Sequence, residues 1–438
     1  MPQDRWGNDI TTTSQEAVEA YNRALIEFLE YRLTLGDTVK SILAADADCV
    51  MGLCFRGYMM MQFGSIAPYP KVCDVLKKAE ACAGDATLRE QLHVKALGSW
   101  LNGRVREARS HWESIVVSSP RDLLALRLHH FMSFWQGDRL GLRDLPAGAL
   151  AAAEDSMPGY GFLLSMAAFG MEECGDYVRA EEYGRQSFAS NNNDLWAVHA
   201  VAHVLEMQCR HKDGISFLDQ PFGTWDDRNP FKDHVWWHTA LFALELGTYD
   251  RVLDIYDREV DAGDSGFYLD VQNAASMLMR LKLYGVDVGN RWQTLAELAM
   301  ERLGDHVMPF TDTHFVMALI GAGRLNDAAK YRQSFAAFAE NEQNDAAQVA
   351  RNIGVPLANA LYAYGEKHYG EAADTIYAIR HDLAPIGGSH AQQDIFHQIL
   401  IDAATQAGKV DMARSLLNER TFLRPGTSWA YERLAALQ

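Results

Sequence analysis

A glycine-bearing turn that closes one helix and opens the next recurs along this chain, and no other feature restricts the fold as much. It appears in LNGRVREA (101–108), ECGDYVRA (173–180), LELGTYDRV (244–252), GAGRLNDA (321–328), YGEKHYGEA (364–372) and QAGKVDMA (406–413). The second helix carries a small or short side chain in its first two turns: Ala108, Ala180, Gly214, Val252, Ala328, Ala372 and Ala413. Counting along the chain gives 34 residues from Ala180 to Gly214, 38 from Gly214 to Val252, 44 from Ala328 to Ala372 and 41 from Ala372 to Ala413. The two longer steps, 72 from Ala108 to Ala180 and 76 from Val252 to Ala328, are close to twice the shorter ones. One helix pair cannot bury its apolar stripe alone, so a period of this length implies neighbouring pairs that stack and share a core.

Alternating Val/Ile/Thr runs bounded by Asn-Gly or Asp-Gly turns are scarce, while Ala, Leu, Glu, Arg and Met dominate, so an all-α protein is expected. The period matches helix pairs of the tetratricopeptide kind and predicts an α-solenoid superhelix of about 20 helices. SWLNGRVREARSHWESIVVSSP resembles that consensus best, with Ala108, Trp112 and Ile115 at the packing sites of its second helix and Pro120 as its closing proline. Gly214 and Val252 depart from the expected alanine. The period begins near residue 86, which predicts an N-terminal helical arm over 1–85 and repeats over 86–438, stacked as one continuous domain. TTTSQEAVEAYNRALIEFLEY in the arm has a Thr/Ser cap ahead of an apolar stripe. GDRLGLRDLPAGALAAAEDSMPGYGF (137–162), with Pro146, Pro158 and closely spaced glycines, is the expected interruption of the array.

With 438 residues, 48% of them hydrophobic, the chain can bury large cores. A net charge of −18 without a basic stripe argues against nucleic acid and against an anionic membrane surface. The start, MPQDRWGNDITTTSQ, lacks the features of a secretory signal, and no stretch nears 18 uninterrupted apolar residues, so a cytoplasmic location is expected. Six cysteines without a C-x-x-C pair read as buried thiols.

His199, His203 and Glu206, spaced by four and three residues in DLWAVHAVAHVLEMQ, fall within roughly a 60° arc of one helix. His234 and His238 open the next helical stretch, among Trp225, Trp236 and Trp237. In tetratricopeptide proteins the second, fifth, ninth and twelfth positions of each first helix commonly face the ligand. In that register His199, His203 and Glu206 take the fifth, ninth and twelfth positions and His234 the second, which puts them on one inner wall. FTDTHFVMALIGAGR adds Asp312 and His314, and IGGSHAQQDIFHQIL adds Ser389, His390, Gln393 and Asp394. Ser389 is an expected N-cap, and the Gly387-Gly388 turn before it exposes backbone N–H groups suited to an anion. His129, His130 and His211 are expected at the surface or between helices.

HAVAHVLEMQ, DHVWWHTALFALELGTYDRVLDIYD, FTDTHFVMALIGAG, GGSHAQQDIF and TTTSQEAVEAYNRAL together resemble the signature blocks of the tetratricopeptide repeat protein 38 family, across nearly the whole chain. The resemblance implies a helical-repeat fold and a shared role for these blocks, but no particular reaction.

Three chemistries fit the cluster. The leading expectation is a pocket for a small organic ligand, possessing acid/base groups of hydrolase or lyase type and no cofactor. In it His203 and His238 transfer protons, Glu206 and Asp312 tune them, and His199, His234, Trp237, His314, Ser389, His390, Gln393 and Asp394 bind the ligand. The alternative is a protein-interaction scaffold that holds a peptide or partner in its groove, and exposed repeat ends leave a homodimer open. A divalent metal such as zinc on His199, His203 and Glu206 is the third, although H-E-x-x-H is missing.

Overall fold

The structure, a computed structural model, describes residues 1–220, 225–263 and 265–437. Among them there is no β-strand, only two isolated bridges, and the chain is a succession of α-helices joined by short turns. It divides into two compact units, the first comprising Met1–Val201 and Gly223–Asn229, the second Ala202–Phe222 and Pro230–Gln438. No helix of the described residues is long and apolar enough to cross a membrane.

Unit 1 runs through α1 (Gln15–Leu29), α2 (Leu35–Ala45), α3 (Val50–Met61), α4 (Tyr69–Cys82), α5 (Leu88–Leu101), α6 (Val105–Ser118), α7 (Leu123–Trp135), α8 (Arg139–Ala151), α9 (Tyr160–Glu173) and α10 (Tyr177–Ser190), then enters α11 (Leu195–Met207). Successive helices pack as pairs: α1 on α2, α3 on α4, α5 on α6, α7 on α8 and α9 on α10. The turns between partners use the glycines that mark the repeat, since Gly103, Gly137 and Gly175 all sit at positive φ, where L side chains are strained. Ala108, Trp112 and Ile115 are fully buried on α6. The start of the chain is tied to later helices of the unit by side-chain hydrogen bonds. Ser14 caps α1, the Thr11 hydroxyl donates to Glu90 at 2.6 Å, and Arg89 donates to the Asp9 carbonyl and to the buried Asp122 carboxylate.

The expected interruption at 137–162 is mostly helix. α8 runs through Pro146, which gives up the bond its missing N–H would make to the Leu142 carbonyl and sets its ring against that carbonyl. Gly170 of α9 lies against that carbonyl: a Cβ there would stand 2.3 Å from Leu142 O. Apart from the Gly137 turn, the irregular backbone of this stretch lies after Ala151, ahead of α9. His129 and His130 are buried between helices, with His130 Nε2 3.1 Å from the Met166 carbonyl oxygen.

Unit 2 continues from the end of α11 through α12 (His211–Leu218), α13 (Phe231–Glu245), α14 (Tyr249–Ile255), α15 (Tyr268–Leu283), α16 (Trp292–Glu301), α17 (Pro309–Gly321), α18 (Leu325–Asn341), α19 (Asp345–Val349), α20 (Val355–Gly365), α21 (Tyr369–Ile379), α22 (His390–Gln406), α23 (Val410–Leu423) and α24 (Ser428–Ala436). The first helices of consecutive pairs lie side by side, α13 on α15, α15 on α17 and α17 on α20. α15 also packs on α22, so it is buried along nearly its whole length. That burial explains its sequence, QNAASMLMRLKL, in which small and apolar residues surround a few polar ones that face partners. The polar side chains of α11, α13, α15 and α22 therefore converge in the interior of unit 2.

Candidate functional site

His203 and Glu206 project from the last two turns of α11 and meet α13. The His238 Nδ1 lies 2.8 Å from Glu206 Oε2, in hydrogen-bond contact, and the rings of His203 and His238 lie 4.4 Å apart, edge to face. His234, one turn earlier on α13, sits 4.9 Å from the His238 ring and stacks on Trp237 at 5.2 Å. Its Nδ1 donates to Asn273 Oδ1 of α15 at 2.9 Å. Trp237 donates its ring N–H to Ser276 Oγ and carries the Arg280 guanidinium over its face. It is fully buried, so its part is to wall the cluster.

Burial sets the protonation here. It drives the His234 and His238 imidazoles well below the ordinary histidine range, helped by the neighbouring histidines, and His238 also faces Arg280. Burial lifts Glu206, although Arg424, His203 and Arg280 oppose that rise. Both directions follow from burial, which penalises the charged form of each group.

Beside Glu206 lies a cavity with about 20 Å³ of room for water centres, lined by Glu206, Arg280, Asp394, Gln398 and Arg424 among others. That space suits a water molecule or two. Asp394 takes two hydrogen bonds from Arg420, at 2.6 and 2.9 Å, and a third from Gln398 Nε2 at 3.0 Å. The two arginines, Arg420 first and then Arg424, hold its carboxyl far below the usual range against the penalty of burial. Arg280 donates to the carbonyls of Ala391 and Ser276.

Asp312 and His314 of α17 have different partners. Asp312 Oδ1 accepts from His306 Nδ1 at 2.7 Å and from the Tyr331 hydroxyl at 2.8 Å, and His306 Nε2 lies 2.9 Å from Ser334 Oγ. Carboxylate, imidazole and hydroxyl thus follow one another in a hydrogen-bonded series. His306 holds a left-handed backbone angle, φ 42°, just ahead of α17. His314 donates to the Phe310 carbonyl at 2.8 Å and packs against Phe396, and burial pushes it down to about 4.

The α22 turn spends its polar groups on itself. Ser389 caps α22 by accepting from Gln392 N–H, and its own N–H donates to Gln392 Oε1. Gln393 Nε2 donates to the carbonyls of Gly387 and Gly388. The anion cradle expected at 387–390 is therefore a capping box closed by its own side chains. His390 is the first, half-buried residue of the helix. His199, one turn before His203 on α11, belongs to unit 1, where its ring lies 4.7 Å from Trp196 and 5.2 Å from Phe169.

Sequence spacing thus picked out His203, Glu206, His234 and His238, which the fold brings together. Asn273, Arg280, Arg420, Arg424, His306 and Ser334 escaped it. Only Arg280, a cation set among the apolar residues of α15, left a legible signal.

No known protein family profile matches this chain. Among solved structures it is similar to the Naa15/Naa10 complex bound to HypK-THB, at 11% identity and a TM-score of 0.26. The match covers 96% of this chain and 66% of that one, so the chain spans just under two thirds of the neighbour's length.

Proposed function

We propose that this chain is a helical-repeat scaffold that docks a partner polypeptide on its outer surface. One observation carries the reading. Leu140 and Val178 are the second residues of α8 and α10, three residues after the turn glycines Gly137 and Gly175, and they are 59% and 78% exposed. Large aliphatic side chains bared at the same register of successive helix pairs are anchors for a segment laid across the array. The net charge of −18 makes a basic segment the complementary partner. A chamber for a small organic molecule in unit 2 has less support, because the cavity beside Glu206 has the volume of a water or two. The test is cross-linking in the cells of origin, then reconstitution with the purified partner. Leu140→Glu/Val178→Glu should weaken the complex at least 10-fold while circular dichroism stays unchanged. Equal binding by the folded variant, or a chain that remains alone, overturns the proposal.

A second reading, an acyl-transfer or hydrolase site, rests on the Asp312–His306–Ser334 series. In that reading Asp312 orients His306, whose Nε2 takes the proton as Ser334 Oγ attacks an acyl carbonyl and then returns it to the leaving group. A fluorophosphonate probe should label Ser334, and His306→Gln should abolish the labelling. A folded chain that stays unlabelled ends this reading.

A further inference from the structure

We propose that His203, His234 and His238 form a binding site for one divalent transition-metal ion of the zinc class, with Glu206 and Asn273 as its outer-shell supports. One ring nitrogen from each imidazole lies within 4.8 Å of one from each of the others. Three nitrogens on a tetrahedral zinc, bonded at 2.0–2.1 Å, stand about 3.4 Å apart. The rings therefore need to close by no more than roughly 1.4 Å, a matter of small side-chain rotations.

The orientation of the rings is the second observation. On two of the three, Nδ1 faces an oxygen: Glu206 Oε2 on His238 at 2.8 Å and Asn273 Oδ1 on His234 at 2.9 Å. The Asn273 amide oxygen can only accept, which sets the Nδ1–H tautomer of His234, and an ionised Glu206 does the same for His238; the lone pair then stands on Nε2, the nitrogen that a metal would take. A carboxylate behind one ligand and an amide oxygen behind another is the arrangement that holds metal-binding imidazoles in place. The Glu206 carboxylate also offsets part of the ion's charge in an interior where an uncompensated dication would be costly. Neutral imidazoles with no thiolate among them suit zinc, cobalt, nickel or copper better than magnesium or calcium.

Proximity comes from two helices rather than from one motif. His203 arrives from α11, while His234 and His238 stand one turn apart on α13. The site is separate from the surface proposed for partner docking, so either can fail without the other.

The full chain, purified without chelator, should carry close to one equivalent of metal by inductively coupled plasma mass spectrometry. His203→Ala and His238→Ala should each lose it, and the exposed His368→Ala should retain it. Because an alanine in this interior could unfold unit 2, the deciding measurement is a cobalt(II) titration of chelator-stripped protein whose circular dichroism is native. One equivalent should bring up the visible absorption of four-coordinate cobalt, and Glu206→Gln should weaken that binding 10- to 100-fold. Native protein that takes up no stoichiometric cobalt or zinc, or metal held equally well by folded His203→Ala and His238→Ala, overturns the proposal. The cluster is then a packed aromatic core.

Discussion

Gly170→Ala adds one methyl group to α9 and should destabilise unit 1 more than any comparable change in its helices. The new Cβ would meet the Leu142 carbonyl oxygen at 2.3 Å, its carbon at 2.5 Å and the Arg143 Cα at 2.6 Å. All three atoms are backbone of α8, so no rotamer change can relieve the contact. Ordinary carbon–oxygen contact is near 3.3 Å, and α8 and α9 must part by about 1 Å. A gap of that size forfeits much of the dispersion between the two helices, and overpacking of this kind costs about 3 kcal/mol. Alanine recovers up to about 1 kcal/mol through its helix propensity, which leaves a net loss of about 2 kcal/mol. Gly98→Ala on α5 is the matched control: its Cβ would find only Leu76 side-chain carbons at 3.5 and 3.8 Å. There the propensity gain stands alone, and the variant should be more stable by about 0.5–1 kcal/mol. Both positions lie in unit 1, so one urea transition followed by circular dichroism compares them, with midpoints separated on the order of 1 M. A Gly170→Ala midpoint at or above the parent's would refute the packing argument.

Other perturbations test other parts of the structure. Arg420→Met should cost about 3–5 kcal/mol in denaturant unfolding because it strands the buried Asp394 carboxylate, and Arg420→Met/Asp394→Leu should recover most of that loss. If the double variant is as unstable as the single one, the burial argument fails. Burial lifts Asp270 up to about 7, whereas in the unfolded chain it ionises near 4. Its folded-state pKa is the higher one, so its contribution favours the fold at low pH and is lost as pH rises from about 4 to about 7. Asp270→Asn stays neutral, and its stability relative to the parent should grow across that window; a constant difference would contradict the assignment. Ser389→Ala should cost about 1 kcal/mol by removing the α22 cap, measured by the urea midpoint, while a Ser389 that only binds an external anion would leave that midpoint unmoved.

Local signals in the sequence carried a long way where the physics is local. Glycines after helices, a serine ahead of α22 and the Ala108/Trp112/Ile115 stripe state turn, cap and buried face directly, because each acts within a few residues of itself. Pro146 misled for the same reason: as a local signal it marks a break, but α8 carries the lost hydrogen bond and the ring's crowding of the Leu142 carbonyl within a continuous helix packed on α9. Asp312 shows the limit on the site side. Its place near the start of a first helix suggested a shared wall with His203, whereas its carboxylate is taken by His306 and Tyr331.

The sequence by itself determined the helix pairs, their period and the stripe of His203 and Glu206, since a 3.6-residue period and a glycine turn need no distant partner to be expressed. Only the tertiary structure decided what that stripe faces. α13 turns His238 and His234 onto His203, α15 supplies Asn273 and Arg280, and α23 sends Arg420 to Asp394 across 26 residues of chain. These pairings depend on which helices stack and in which rotation, which is set by the fit of whole apolar faces. No single residue encodes that fit.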